Sequence, residues 1–152
     1  MADIIHRVGI KASPERVHDA IATAEGVAGW WTRETSGESR VGRTLTVRFR
    51  DHGAETEKGR MDLEVVRLDP SEVQWRVQDG PPEWLGTDIT FSLARDGDYT
   101  ILLFGHRNWR DEAEFMAHCS MKWATFLLSL RQLAETGRGA PAPDDLKIDN
   151  WN

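Results

Sequence analysis

The residues able to do acid–base or nucleophilic chemistry are few: five histidines and one cysteine in a chain of 152. His6 and His106 fall on the inward phase of alternating segments, and His118 adjoins Cys119 on a stretch with helical spacing. Polar groups that converge on an apolar space orient a ligand, or move protons where their pKa is tuned. For any one such ring, a hydrogen-bonded structural histidine is the commoner outcome. His106 is the strongest candidate, because it ends its segment where the chain turns towards the last helix and a pocket mouth is expected.

Other chemistries find little support. His106 and His118 stand twelve positions apart with only Cys119 beside them, which matches no metal-ligand spacing. Cys119 lies on an apolar helical stripe, where a desolvated thiol stays protonated and unreactive. No Gly-x-Ser-x-Gly elbow, His-Glu-x-x-His pair or phosphate loop occurs. No catalytic group, metal or cofactor is assigned on these grounds.

Seven tryptophans beside a single tyrosine are the compositional anomaly. Trp is a large apolar body with one N–H donor, so a surplus implies an aromatic core or a lined cavity. Trp30 and Trp31 are adjacent, and a helical turn would direct them about 100° apart. Either one packs inward and the other covers a pocket entrance or meets a partner, or both serve as hydrophobic lids on the sheet end. Trp84, after Pro81-Pro82-Glu83, reads as a surface anchor on a turn, and Trp109 as a cap on the start of the last helix.

The elements that position these residues follow from periodicity. Residues 3–11 alternate as a half-buried strand. Ser13-Pro14-Glu15 opens a short amphipathic helix over 14–24, and Val27 to Trp31 form a second helical turn. From about residue 37 to 107, alternating segments are separated by Gly, Pro and Asp breakers, which describes an antiparallel meander with one covered face. The stretch 35–43 is polar and poorly periodic. Asp111 and Glu114 resemble a capping box, and Met116, Cys119, Trp123, Phe126, Leu127 and Leu130 repeat at steps of three and four until Gly137. Pro141 and Pro143 forbid continuation.

A sheet with one apolar face must bury it, and the only long cover is that C-terminal helix. The predicted class is α+β: a curved antiparallel sheet of six to seven strands wrapped around a long C-terminal helix, with two short helices after the first strand. Residues 1–152 make a single domain, in keeping with about 100–200 residues per domain. Where a curved sheet and a straight helix diverge, a cavity opens or side chains fill the gap. Met61, Trp75, Phe91, Phe104 and His106 from strands, Cys119, Trp123 and Phe126 from the helix, and Trp31 are the expected ligand-binding set. A solid core is the alternative for each of them.

A net charge of −6 makes nucleic acid and anionic membrane surfaces poor partners. The lone cysteine excludes an intrachain disulfide and agrees with a reducing compartment. The N-terminus lacks a signal-peptide layout, and the longest apolar run, 101–104, is far too short to insert in a membrane. A cytoplasmic location is expected.

The order of elements, with Ala12-Ser13-Pro14-Glu15-Arg16-Val17, Gly29-Trp30-Trp31, Thr100 to His106 and Lys122-Trp123 through Glu135-Thr136-Gly137, resembles the START-like (SRPBCC, helix-grip) superfamily. Within it the chain is most similar to the branch of the activator of the heat-shock chaperone ATPase. The resemblance covers essentially the whole chain. It implies the fold strongly and an activity weakly, since lipid carriers, polyketide cyclases, hormone receptors and co-chaperones share it. The leading expectation is a protein that binds an apolar small molecule, lipid or aromatic, between sheet and helix. The alternatives are a polyketide cyclase-like enzyme using His106 or His6, and a co-chaperone-like interaction module. A homodimer through an edge strand or exposed aromatics stays open.

Overall fold

β-branched and aromatic residues alternating with polar ones build seven strands: β1 (Ala2–Ile10), β2 (Glu34–Gly37), β3 (Thr44–Phe49), β4 (Gly59–Asp69), β5 (Glu72–Asp79), β6 (Asp88–Asp96) and β7 (Tyr99–Trp109). The computed structural model covers residues 1–152. β2 to β7 run as an antiparallel meander, and β1 joins beside β7, giving the order β1-β7-β6-β5-β4-β3-β2. The polar segment after residue 32 supplies β2, so the upper strand number is the right one. Register shifts in the β1–β7 and β4–β5 ladders mark irregular pairing of the bulge type, which bends a sheet and sharpens its twist.

The register lines the inner face with cross-strand rows. Val73, Phe91, Phe104 and His6 face one another in turn, and so do Val65, Trp75, Ile89, His106 and Ile4. A one-residue slip would turn every one of these side chains to solvent.

Helix α1 (Pro14–Ala22) starts as its sequence requires: the Ser13 Oγ accepts from the Arg16 N–H, and Pro14 occupies the first turn. It buries Val17, Ala20 and Ile21. Helix α2 (Ala24–Ala28) follows at once, capped by the Thr23 hydroxyl. Helix α3 (Glu114–Thr136) crosses the inner face, about 34 Å long at 1.5 Å per residue. Its N-cap is Ala113 without a side-chain bond, so the expected capping box does not form; Asp111 lies two residues outside the first turn. Gly137 ends α3 with φ +89°, a left-handed conformation suited to a residue without Cβ.

Beyond α3 the chain returns across the molecule. Gly139 passes so close that a Cβ there would stand 2.5 Å from the Gly29 carbonyl oxygen. The Ser129 hydroxyl fixes this crossing, donating to the Trp30 carbonyl at 2.9 Å and accepting from the Ala140 N–H at 2.8 Å. Ala142 then forms a parallel bridge with Thr32, donating to the Trp31 carbonyl and accepting from the Arg33 N–H. The architecture is α+β and helix-grip. No helix is long and apolar enough to cross a membrane.

Candidate functional site

The interior between sheet and α3 is mostly solid. A cavity of about 250 Å³ remains at one end, bounded by α3, Trp31, the β3–β4 hairpin, the Pro81–Trp84 turn and the C-terminal segment. Phe115, Cys119, Trp123 and Phe126, at helical steps of four, four and three, form one wall. Trp31, Phe49, Met61 and Trp84 form the other. Polar side chains rim the space: Arg50 and Lys58 from the hairpin, His118 and Lys122 from α3, and Asp145, Lys147 and Asn152 from the C-terminal segment.

Of the expected ligand-binding residues, Trp31, Met61, Cys119, Trp123 and Phe126 line this cavity, whereas Trp75, Phe91, Phe104 and His106 do not. The reason is that other rings cover them. Trp31 stacks on Trp75 (centroids 6.0 Å apart, planes 1° apart), Trp30 meets the edge of Phe91 at 6.2 Å, and Trp123 lies 4.6 Å from Phe104. The helical divergence of Trp30 and Trp31 is corrected as well: both are buried and stacked at 5.9 Å and 11°, and of the two only Trp31 reaches the cavity. Regular helix stops at Ala28, so helical spacing does not govern the pair. Inward alternation thus identified the face correctly but not whether a ring borders a void or fills one.

Trp84 is not a surface anchor. It is buried, stacks on Trp123 at 5.9 Å and sets its ring edge to His106 at 4.5 Å. A Pro-Pro-Glu turn reads as exposed, yet here it folds over the sheet end and delivers the ring inward. Trp109 packs on Phe115 at the start of α3, as expected.

His106 is 0 % exposed and both ring nitrogens are engaged. The Trp123 indole N–H donates to Nδ1 at 3.0 Å, so Nδ1 carries no proton. Nε2–H then donates to the Thr87 hydroxyl at 2.8 Å, and that hydroxyl donates to the Trp84 carbonyl at 2.6 Å. A proton on Nδ1 would set two donors face to face, and burial pushes the imidazole pKa down to about 3. The ring therefore does not stand at a pocket mouth and has no free nitrogen for acid–base work. His6 holds the Ser120 carbonyl at 3.1 Å, and His118 bonds Asp149 at 2.7 Å.

Burial pushes the Cys119 thiol up to about 12, which keeps it protonated and inert. No three His, Cys, Asp or Glu side chains converge to hold a metal ion.

Sequence reasoning missed the C-terminal segment altogether. Lys122 donates to the Asp145 carboxylate at 2.5 Å and to the Leu146 carbonyl at 2.8 Å, while Lys147 donates to the other Asp145 oxygen at 3.0 Å. Burial opposes ionisation of Asp145, but the hydrogen bonds and charges of the two lysines outweigh it and hold the carboxyl below its ordinary range. Trp151 packs near His118, with ring centroids 5.5 Å apart. The available signal was chemical rather than periodic: acids at 144, 145 and 149 follow a helix that presents His118 and Lys122.

The family model described as Activator of Hsp90 ATPase homolog 1-like protein matches residues 11–135. The chain belongs to this family. Among solved structures, this member of the Activator of Hsp90 ATPase homolog 1-like family is similar to the Aha1 dimer from Colwellia psychrerythraea, determined in solution. The two are 42% identical with a TM-score of 0.77, over 91% of this chain and 100% of that one. It also shares its fold with CalU16 from Micromonospora echinospora, at 18% identity and a TM-score of 0.74, covering 97% of this chain and 74% of that one. DynU16, described as a putative protein in the dynemicin biosynthetic locus, has 20% identity and a TM-score of 0.73, covering 90% of this chain and 48% of that one. A comparison with curated proteins finds no match.

Proposed function

We propose that this protein binds a small ring-bearing apolar molecule in the cavity beneath its C-terminal segment. The observation that carries this reading is selective emptiness. Rings fill the space over Trp75, Phe91 and Phe104, while about 250 Å³ stays open between Trp31, Trp84 and the Phe115–Phe126 face of α3. Ligand pockets usually run from about 300 Å³ upward, so the occupant is one or two rings in size rather than a long lipid chain.

Nuclear magnetic resonance of the indole N–H signals tests this. Trp31, Trp84, Trp123 and Trp151 line the cavity, whereas Trp30, Trp75 and Trp109 do not. Titration with naphthalene-sized compounds is expected to move the first four signals most, and ligand at 100 times Kd should stabilise the fold by about 2.7 kcal/mol. Cys119→Phe, which fills the cavity, should abolish those shifts while the protein stays folded. Seven unmoved indole signals across the panel would sink the reading.

A second reading, self-association, has its own support. The outer face of β1 and β7 exposes Ile5 (65 %) and Leu103 (51 %), which lie diagonally across the ladder because Ile5 faces Gly105 and Arg7 faces Leu103. The relative with 42% identity is described as a dimer. Light scattering should then give twice the chain mass, and Ile5→Glu with Leu103→Lys should return it to one; a monomer in the unaltered protein rejects this.

A further inference from the structure

The cavity rim is unevenly charged. Arg50 is held bidentately by Glu34 at 2.9 and 3.1 Å, Lys58 by Asp51 at 2.7 Å, and His118 by Asp149 at 2.7 Å. Arg50 and Lys58 thus each have a carboxylate of their own, and the His118 ring is likewise occupied by one. Lys122 and Lys147 share one, Asp145, whose side chain is only 6 % exposed. Two ammonium groups on one carboxylate make a local positive excess at this pair, with Asp51 and Asp149 the next carboxylates to act on it, in a chain whose net charge is −6. Glu83, whose charge is felt at Cys119, is not among the lining residues.

The two lysines are also differently committed. Lys122 already serves the Asp145 carboxylate and the Leu146 carbonyl, and its Nζ lies 4.8 Å from the Phe126 ring centre. Lys147 makes a single bond, to Asp145, and its side chain is 47 % exposed. An ammonium has three donors, so Lys147 keeps hydrogens for an incoming acceptor. A charge brought to an apolar wall is costly unless paired, and an anion beside these lysines would be paired on arrival.

Building on the cavity reading, we infer that the ligand is an aromatic acid: one or two rings against Trp31, Trp123 and Phe126, with a single anionic head bonded to Lys147. The positive excess selects against a cationic head and the apolar walls select against a second charge. Charge-assisted hydrogen bonds contribute about 1.5–3 kcal/mol, so the acid should bind roughly ten- to a hundredfold tighter than the matching alcohol.

Three probes with one ring system separate the possibilities: 2-naphthoate, 2-naphthalenemethanol and 2-naphthylmethylammonium, titrated into the full chain by calorimetry and by the indole signals. The expected order is acid, then alcohol, then ammonium, and Lys147→Gln should remove most of the acid's advantage over the alcohol. Lys11→Gln, at a lysine outside the cavity lining, should change neither. Equal affinity of acid and alcohol, tighter binding of the ammonium, or an advantage that survives Lys147→Gln would overturn the inference while leaving the cavity reading standing. If none of the three moves an indole signal, the cavity reading itself falls and this inference with it.

Discussion

The two sides of Trp123 show how one helix can serve two kinds of interior. Towards the sheet its indole N–H binds His106, and His106, Thr87 and Phe104 pack there as a buried group without a charge. Towards the C-terminal segment the same ring borders about 250 Å³ of open space, rimmed by lysines and bordered by a strap that hydrogen bonds and ion pairs hold in place. The first side is fixed by strand register and dense packing, which penalise any change of volume. The second is fixed by a small number of polar latches between α3 and the C-terminal segment, so it opens at lower cost than the packed side. Rigidity and access are thus divided between the two faces of a single residue.

Trp123→Ala attacks both sides at once and should have the largest effect. Removing a buried ring costs about 3–5 kcal/mol, measured by urea unfolding, and it also leaves the His106 Nδ1 without its donor. A loss under 1 kcal/mol would mean that the sheet side is not the solid region described.

The next test uses pH. His106 has its folded pKa lowered to about 3 from an ordinary value of 6.5 by burial, so between those values the unfolded chain binds a proton that the folded chain refuses. Stability therefore rises with pH through this window and is lost as pH falls from 6.5 towards 3. The drop between pH 7 and pH 5 should be about 2 kcal/mol. His106→Gln should unfold more easily at pH 7 but lack that component of the pH dependence; identical slopes for the two proteins would contradict the assignment.

Asp145→Asn should act on the other side alone. It removes the carboxylate that Lys122 and Lys147 share, and the expected result is faster amide exchange over residues 141–152 with a global loss of only about 1 kcal/mol. Since the Asp145 pKa is lowered, its contribution is full above the ordinary carboxylate range and is lost as pH falls below that range and through the lowered folded value. Loss of protection in β6 and β7 as well would show that the two regions are not separable. The smallest effect is a null one. Cys119 should resist thiol reagents at pH 8 in the folded protein, with a thiol pushed to about 12 by burial, and become reactive only on unfolding.

The solid side was largely legible in the sequence, and the open side was not. Alternation in segments such as 87–93 and 100–106, and the stripe from Met116 to Leu130, are direct projections of two geometric periods, so they gave strands, helix and faces. Depth does not project in this way. Whether Phe91 borders a void depends on Trp30, far away in the chain, and whether His106 reaches solvent depends on Trp84 folding back from a turn. The C-terminal segment has no period at all; Ala142 is placed by two backbone bonds beside Thr32, and Asp145 by a lysine on another element. Five of the nine expected site residues line the cavity because α3 carries three of them on one face.

The position of β1 has a consequence for how the protein is made. Its only strand neighbour is β7, with Ile4 opposite His106, so roughly a hundred residues must be gathered into a loop before that edge can zip. On a ribosome β1 emerges before the other six strands and carries Ile4, Val8 and Ile10 without a strand partner until β7 has followed. The meander from β2 to β7 can assemble in order as it appears, whereas β1, the earliest of the seven strands, is among the last to find its place.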